Sequence, residues 1–208
     1  MKVLELFAGS RSISKVAEEF GYKTYTTDYE PFDKINQVCD IFDFSIDKML
    51  DEFGKPDIIW ASPPCTYFSV SSIGHHWNKD HTPKTKEAVL GVKIVERTNW
   101  IIKMLNPKWF YIENPRGKLR KLDVITKEPY FRKTVTYCSY GEDRMKPTDI
   151  WTNNFNWLPK NMCFNGNADC HHQPAPRGSR TGTQGMANAY EKSKVPEELC
   201  KEIIERSK

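Results

Sequence analysis

The chain has 208 residues, enough for one full hydrophobic core with at most a small appended lobe. With 38% apolar and 28% charged residues it reads as an ordinary globular chain, and no run approaches the roughly 20 apolar residues that span a bilayer. A net charge of +4 permits nucleic-acid binding without requiring it, and six mostly scattered cysteines suggest a reducing, cytoplasmic compartment, not a disulfide scaffold.

Residues 1–7 lack the long apolar stretch and cleavage site of a signal peptide, and Val3–Phe7 reads as a strand stopping at Ala8-Gly9-Ser10. Ile13, Val16, Ala17 and Phe20 follow at the spacing of one apolar helix face, closed by Gly21. Residues 23–27 read as a second strand ending at Asp28, so the chain opens with a βαβ unit and implies a parallel sheet. A short helix over 46–53 and a buried strand over 57–61 come next, the strand ending at Ser62-Pro63-Pro64. Residues 64–83 read as a long polar loop, of a length that often serves as a lid; His75, His76 and His81 in it are most simply solvated. Thr82-Pro83 opens a long helix with Ala88, Val92, Val95 and Ile102 on one face, ended by Asn106-Pro107. Residues 108–112 form a further strand, ending at Glu113-Asn114-Pro115, and 134–137 and 149–152 could be two more that close the sheet. Residues 154–190 are rich in Asn, Gly, Pro and Arg with little periodicity, and Pro196 opens a last helix with Leu199, Cys200 and Ile203 inward. Three parts are therefore expected: a main α/β core over 1–153, a small irregular lobe over 154–190, and a helix over 191–208 returning to the core.

In an open parallel sheet, ligands bind at the carboxyl ends of the strands. Those ends carry Phe7-Ala8-Gly9-Ser10, Asp28, Pro63-Pro64-Cys65 and Glu113-Asn114. A strand-Gly-helix turn lets a ligand approach the backbone, and an acidic residue about 20 positions on suits the two hydroxyls of a ribose. No GxGxxG is present, so the turn and Asp28 suggest an adenosine-containing cofactor only when taken together. Pro63-Pro64 fixes the backbone after a buried strand and projects the Cys65 thiol at the same edge. A lone cysteine is more often a small buried hydrophobe, but a rigid polar turn favours a reactive thiol. Glu113 could equally be a functional carboxylate or a structural ion-pair partner.

Leu6-Phe7-Ala8-Gly9, Pro63-Pro64-Cys65 and Glu113-Asn114, in this order, resemble the DNA cytosine-5 methyltransferase family. The resemblance covers residues 1 to about 118 well and continues more faintly to Arg144 and Val195-Pro196. It implies an α/β, Rossmann-like class I S-adenosylmethionine-dependent methyltransferase fold, with a mostly parallel sheet and helices on both faces. It also implies S-adenosylmethionine as cofactor, DNA as substrate, and methyl transfer to carbon 5 of a flipped-out cytosine. Cys65 would then be the nucleophile, Glu113 would grip the base and Arg144 would support it. Phe7, Ala8, Gly9, Ser10, Asp28, Tyr29, Asp40, Ile41 and Pro63 would hold the cofactor, with Asp40 accepting from the adenine amino group. The chain departs from the family pattern at Pro115, at Arg11-Ser12 after Ser10, and at Lys192 and Ser193.

The 154–190 segment stands where the family inserts its target-recognition domain, here much reduced. Cys163, Cys170, His171 and His172, with Cys138 as a fourth partner, are metal-type residues, and zinc is possible. The wide Cys-to-Cys spacing weighs against it. Arg116, Lys118, Arg120 and Lys121 form one basic cluster; Arg177 and Arg180 mark a candidate DNA-contacting loop. With so little protein to read bases, site selection would rest on DNA shape or a protein partner. An RNA cytosine-5 methyltransferase shares the same catalytic residues, and a catalytically silent nucleic-acid-binding module is the alternative from another class. The small size suits a phage or mobile-element enzyme.

Overall fold

The computed structural model describes residues 1–172 and 188–208. In chain order these form β1 (Lys2–Leu6), α1 (Ser12–Glu19), β2 (Lys23–Asp28), β3 (Gln37–Val38), α2 (Ile46–Glu52), β4 (Ile58–Ala61), α3 (Ile73–His76), α4 (Lys86–Leu105) and β5 (Trp109–Pro115). A 3-10 turn (Leu119–Lys121), α5 (Asp123–Thr126), β6 (Phe131–Thr136), a second 3-10 turn (Tyr137–Tyr140), β7 (Pro147–Thr152), α6 (Ala189–Ser193) and α7 (Glu197–Glu205) follow.

The strands make one sheet in the order β3-β2-β1-β4-β5-β7-β6. β3 through β5 pair parallel, and β7 runs antiparallel to both β5 and β6. Side chains alternate across the pleat, so β1 sends Leu4 and Leu6 to one face and Val3 and Glu5 to the other. On the first face they join Ile59, Ala61, Phe110 and Ile112 under Met49 of α2 and Val95 and Ile102 of α4. On the second, Val3, Ile58, Trp60 and Tyr111 meet Ile13, Val16 and Ala17 of α1 and Leu199, Cys200, Ile203 and Ile204 of α7. The result is the α/β, Rossmann-like layering the sequence pattern implies, with apolar helix faces covering both sides of a largely parallel sheet. Among the described residues, no helix is long and apolar enough to cross a membrane.

Several elements differ from their sequence expectation, β6 and β7 among them, which begin at Phe131 and Pro147. β5 runs on through Pro115, because β7 supplies antiparallel partners for Glu113, Asn114 and Pro115. Helix α4 starts later than Thr82-Pro83: Thr85 caps it by accepting from the Ala88 amide at 3.2 Å, while Pro83 bridges to Trp77. The 64–83 stretch contains the short helix α3, and His76 in it is buried, its Nδ1 2.7 Å from Thr85 Oγ1, whereas His75 and His81 are exposed. Trp157, just beyond the expected boundary at 153, is fully buried against Tyr111 and donates to Glu202 at 2.8 Å, so the start of the 154–190 segment packs on the core.

Candidate active site at the carboxyl edge of the sheet

β1 leaves the sheet through a tight turn in which Phe7, Gly9 and Arg11 all have positive φ (59°, 42° and 56°). At Gly9 the open face meets nothing nearer than Asp28 Oδ2, 3.8 Å from where a Cβ would stand, so the backbone there is free for close approach by a ligand. Asp28 shapes this turn, accepting from the Gly9 amide at 2.9 Å and the Glu30 amide at 3.1 Å. Burial pushes its carboxyl above the usual range, and those amides pull it back. The carboxylate retains capacity to accept a further hydrogen bond. Ala8 and Ser10 are buried, and Tyr29 lies exposed beside them. Beyond β3, exposed Asp40 accepts from the Phe42 amide at 2.9 Å, and buried Ile41 gives its carbonyl to Arg97. All these positions lie at the ends of the adjacent strands β1, β2 and β3.

The helix behind the turn is capped from an unexpected quarter. Arg11 gives α1 no side-chain cap; instead Glu5, inside β1, accepts from the Ile13 and Ser14 amides at 3.3 and 2.9 Å. The buried carboxyl is pushed up to about 7 by desolvation.

On the other side of β1, Pro63-Pro64-Cys65 follows β4. Buried Asn114 donates to the Pro63 carbonyl at 2.8 Å, fastening the turn to β5. The Cys65 carbonyl accepts from the Phe68 and Ser69 amides at 2.9 and 3.0 Å, so a helical turn begins at the thiol-bearing residue. Phe68, fully buried, is the anchor. A Cβ on Gly117 would stand 2.2 Å from its carbonyl oxygen, and one on Gly91 of α4 would stand 3.1 Å from its ring. The Lys118 amide donates to the same carbonyl at 2.7 Å, and Trp77 stacks on the Phe68 ring. Two glycines thus let α4 and the post-β5 loop close on the segment that follows Cys65.

Glu113, 5% exposed, shares this floor. Tyr137 donates to its Oε1 at 2.9 Å, and Ser62 also hydrogen-bonds to it. Burial raises the Glu113 carboxyl, and the Lys146 ammonium opposes that rise. Burial likewise raises the Cys65 thiol, again against Lys146. Lys146 is itself buried, and desolvation lowers it while Glu113 and Cys65 pull it back up. Its Nζ donates to the Lys192 carbonyl at 2.9 Å and lies 4.5 Å from the Tyr137 ring centroid. The sequence reading missed Lys146; the available signal was a lysine placed immediately before the strand that pairs with the Glu113 strand.

Arg144 lies over the Tyr137 ring, 5.9 Å from its centroid. Its guanidinium pairs with Glu142 and reaches the Glu191 and Lys192 carbonyls of α6 at 3.4 and 3.3 Å, which ties the loop before β7 to the C-terminal segment. Of the basic cluster, Arg120 is spent on buried Asp149 and Lys118 donates to His81 at 2.7 Å; Arg116 and Lys121 stay exposed. Arg177 and Arg180 lie outside the described residues. Of the metal-type residues, Cys138, Cys163, Cys170 and His172 come together, while His171 turns away to the Glu142 carbonyl at 3.0 Å.

Residues 1–128 match the profile of a family described as C-5 cytosine-specific DNA methylase. A Frog virus 3 protein described as a probable DNA (cytosine-5)-methyltransferase is 34% identical over 166 residues, covering 77% of this chain and 74% of the viral one. Among solved structures, a DNA modification methyltransferase encoded within an E. coli prophage is similar at a TM-score of 0.52 and 15% identity, over 73% of this chain and 46% of that one. The chain therefore spans about half the length of that structure, and the likeness to it is one of fold.

Proposed function

Since the chain belongs to the C-5 cytosine-specific DNA methylase family, we propose that it methylates carbon 5 of cytosine in DNA through a covalent Cys65 adduct. The observation carrying this reading is the convergence of Cys65, Glu113 and Lys146 on one floor, beside an open glycine turn.

Carbon 5 of cytosine is too weak a nucleophile to take a methyl group unaided. Addition of the Cys65 sulfur at carbon 6 forms an S–C bond and makes carbon 5 enamine-like. Lys146 favours the thiolate against the burial that disfavours it. Cytosine offers an acceptor at N3 and a donor at its amino group. A protonated Glu113 matches that edge, donating to N3 and accepting from the amino group, and its burial favours the protonated form. The Phe7–Ser10 turn, Asp28 and Asp40-Ile41 would hold S-adenosylmethionine, which would supply the methyl group from a positively charged sulfur. Loss of the carbon 5 proton to a base then expels the Cys65 sulfur and restores the aromatic ring. A target inside a duplex must first leave its stack.

The 154–190 segment takes the place of a target-recognition region, and its small size supports site selection by DNA shape or a protein partner. Six unpaired cysteines fit a reducing, cytoplasmic setting. The deciding assay is labelled-methyl transfer to duplex DNA by wild type and Cys65→Ser, followed by nucleoside analysis. Label in 5-methylcytosine, absent with the variant, is expected. Full activity of the variant, or label only in RNA, would overturn the reading.

A further inference from the structure

We propose that Cys138, Cys163, Cys170 and His172 form a structural zinc site that fastens the segment following β7 to the 3-10 turn beside the catalytic floor. Their four ligand atoms all lie within 4.8 Å of one another. Zinc bonds of about 2.3 Å to sulfur and about 2.0–2.1 Å to nitrogen require tetrahedral edges of about 3.8 Å between sulfurs and about 3.6 Å between sulfur and nitrogen. The Cys163 sulfur stands 3.7 Å from His172 Nδ1, at that edge length. None of the three cysteines is in a disulfide. A soft set of three sulfurs and one imidazole selects zinc over magnesium or calcium.

The surroundings are built for a metal. Cys138 and His172 are buried, whereas Leu158, Met162 and Phe164 nearby are exposed (74%, 45% and 65%). Residues 158–172 hold neither helix nor strand and bury little apolar surface, so a cross-link replaces the core they lack. The backbone is already aligned: the Cys163 amide donates to Thr136 Oγ1 at 2.8 Å, and Ser139 Oγ donates to the Asn161 carbonyl at 2.9 Å. Asn167 Nδ2 donates to the Cys163 sulfur at 3.4 Å, the kind of outer contact that steadies a thiolate ligand. Binding replaces three thiol protons, released to solvent, with one Zn2+, leaving a net charge of −1 on the centre.

Position gives the site its importance. Cys138 directly follows Tyr137, whose hydroxyl holds Glu113. The metal would thus brace the turn that orients the proposed base-binding carboxylate, and the assignment of zinc itself holds whether or not that role is right.

The test uses the full chain, purified with and without added Zn2+. Metal analysis should give one zinc per chain, and Co2+ loading should give the intense visible bands of a tetrahedral site with a sulfur-to-cobalt charge-transfer band. His172→Asn and Cys163→Ser should each retain less than a tenth of the wild-type zinc, while His171→Asn should retain all of it. Failure of the wild-type chain to take up zinc or cobalt after reduction and reconstitution would overturn the proposal without reference to any variant. So would a disulfide between two of these cysteines in non-reducing peptide maps, or equal zinc in His172→Asn and wild type.

Discussion

The Tyr137 hydroxyl donates to Glu113 Oε1 at 2.9 Å, and both residues are buried. A turn at the far edge of the sheet thereby orients a carboxylate inside β5. Replacing Tyr137 with Phe removes one contact that lowers the Glu113 carboxyl, so its protonated form should persist to higher pH. The alkaline limb of the methyl-transfer pH profile should move up, and kcat should fall about tenfold, the equivalent of about 1.4 kcal/mol. Steady-state kinetics from pH 6 to 9 checks both; an unmoved limb would show that Glu113 does not act as the acid.

 Lys146 stands 81 positions from Cys65 in the sequence, yet its ammonium opposes the burial that raises the Cys65 thiol. Removing this charge with Lys146→Met should raise the thiol further, so that iodoacetamide alkylation of Cys65 at pH 8 slows and its pH midpoint moves up. Methyl transfer should fall on the order of a hundredfold, the scale of losing one charged contact in a closed site. Lys146→Arg should recover part of both. Alkylation followed by peptide mass spectrometry reads the first effect, and unchanged alkylation would remove Lys146 from any role at the thiol.

Gly117 has no room for a side chain, because a Cβ would stand 2.2 Å from the Phe68 carbonyl oxygen, a backbone atom that cannot swing aside. Gly117→Ala should cost about 3 kcal/mol, or roughly 6–12 °C in Tm for a chain of this size. Thermal and urea denaturation measure this. A variant as stable as wild type would mean that the loop after Cys65 is not held at Phe68.

Glu5 sets a pH dependence of stability separate from catalysis. Its carboxyl is pushed up from 4.5 to about 7 in the folded chain, so the folded state binds more protons than the unfolded one between those values. The contribution is therefore complete below about pH 4.5 and is lost as pH rises through about 7, by on the order of 3 kcal/mol. Urea midpoints of wild type should decline across that window relative to Glu5→Gln. Parallel curves for the two proteins would refute the assignment.

The first half of the site was legible because it obeys local rules. Strand, turn and helix alternate within short windows, and each parallel strand delivers its last residues to one edge, which brought Phe7–Ser10, Asp28, Cys65 and Glu113 into view together. The second half depends on pairings remote in sequence. Tyr137 directly follows β6 and Lys146 directly precedes β7, and both reach Glu113 only because β7 inserts between β5 and β6. No periodicity in the chain announces that insertion. The choice of His172 over His171 is a matter of which of two adjacent side chains turns inward, and β3, two residues long, is too short to show a period.

Lys192 and Val195 stand three positions apart, the first giving its carbonyl to Lys146 and the second its amide to Ser12 Oγ at 3.2 Å. One end of this span therefore meets the wall where the base would lie, and the other meets the turn where the methyl donor would lie. The gap between reacting atoms is thus set in part by a length of chain, like a spacer between two jaws. Direct displacement demands bond-forming contact and tolerates little error in that gap. Inserting or deleting one residue between 192 and 195 would leave each pocket able to bind its own ligand while placing the two ligands out of reach of each other.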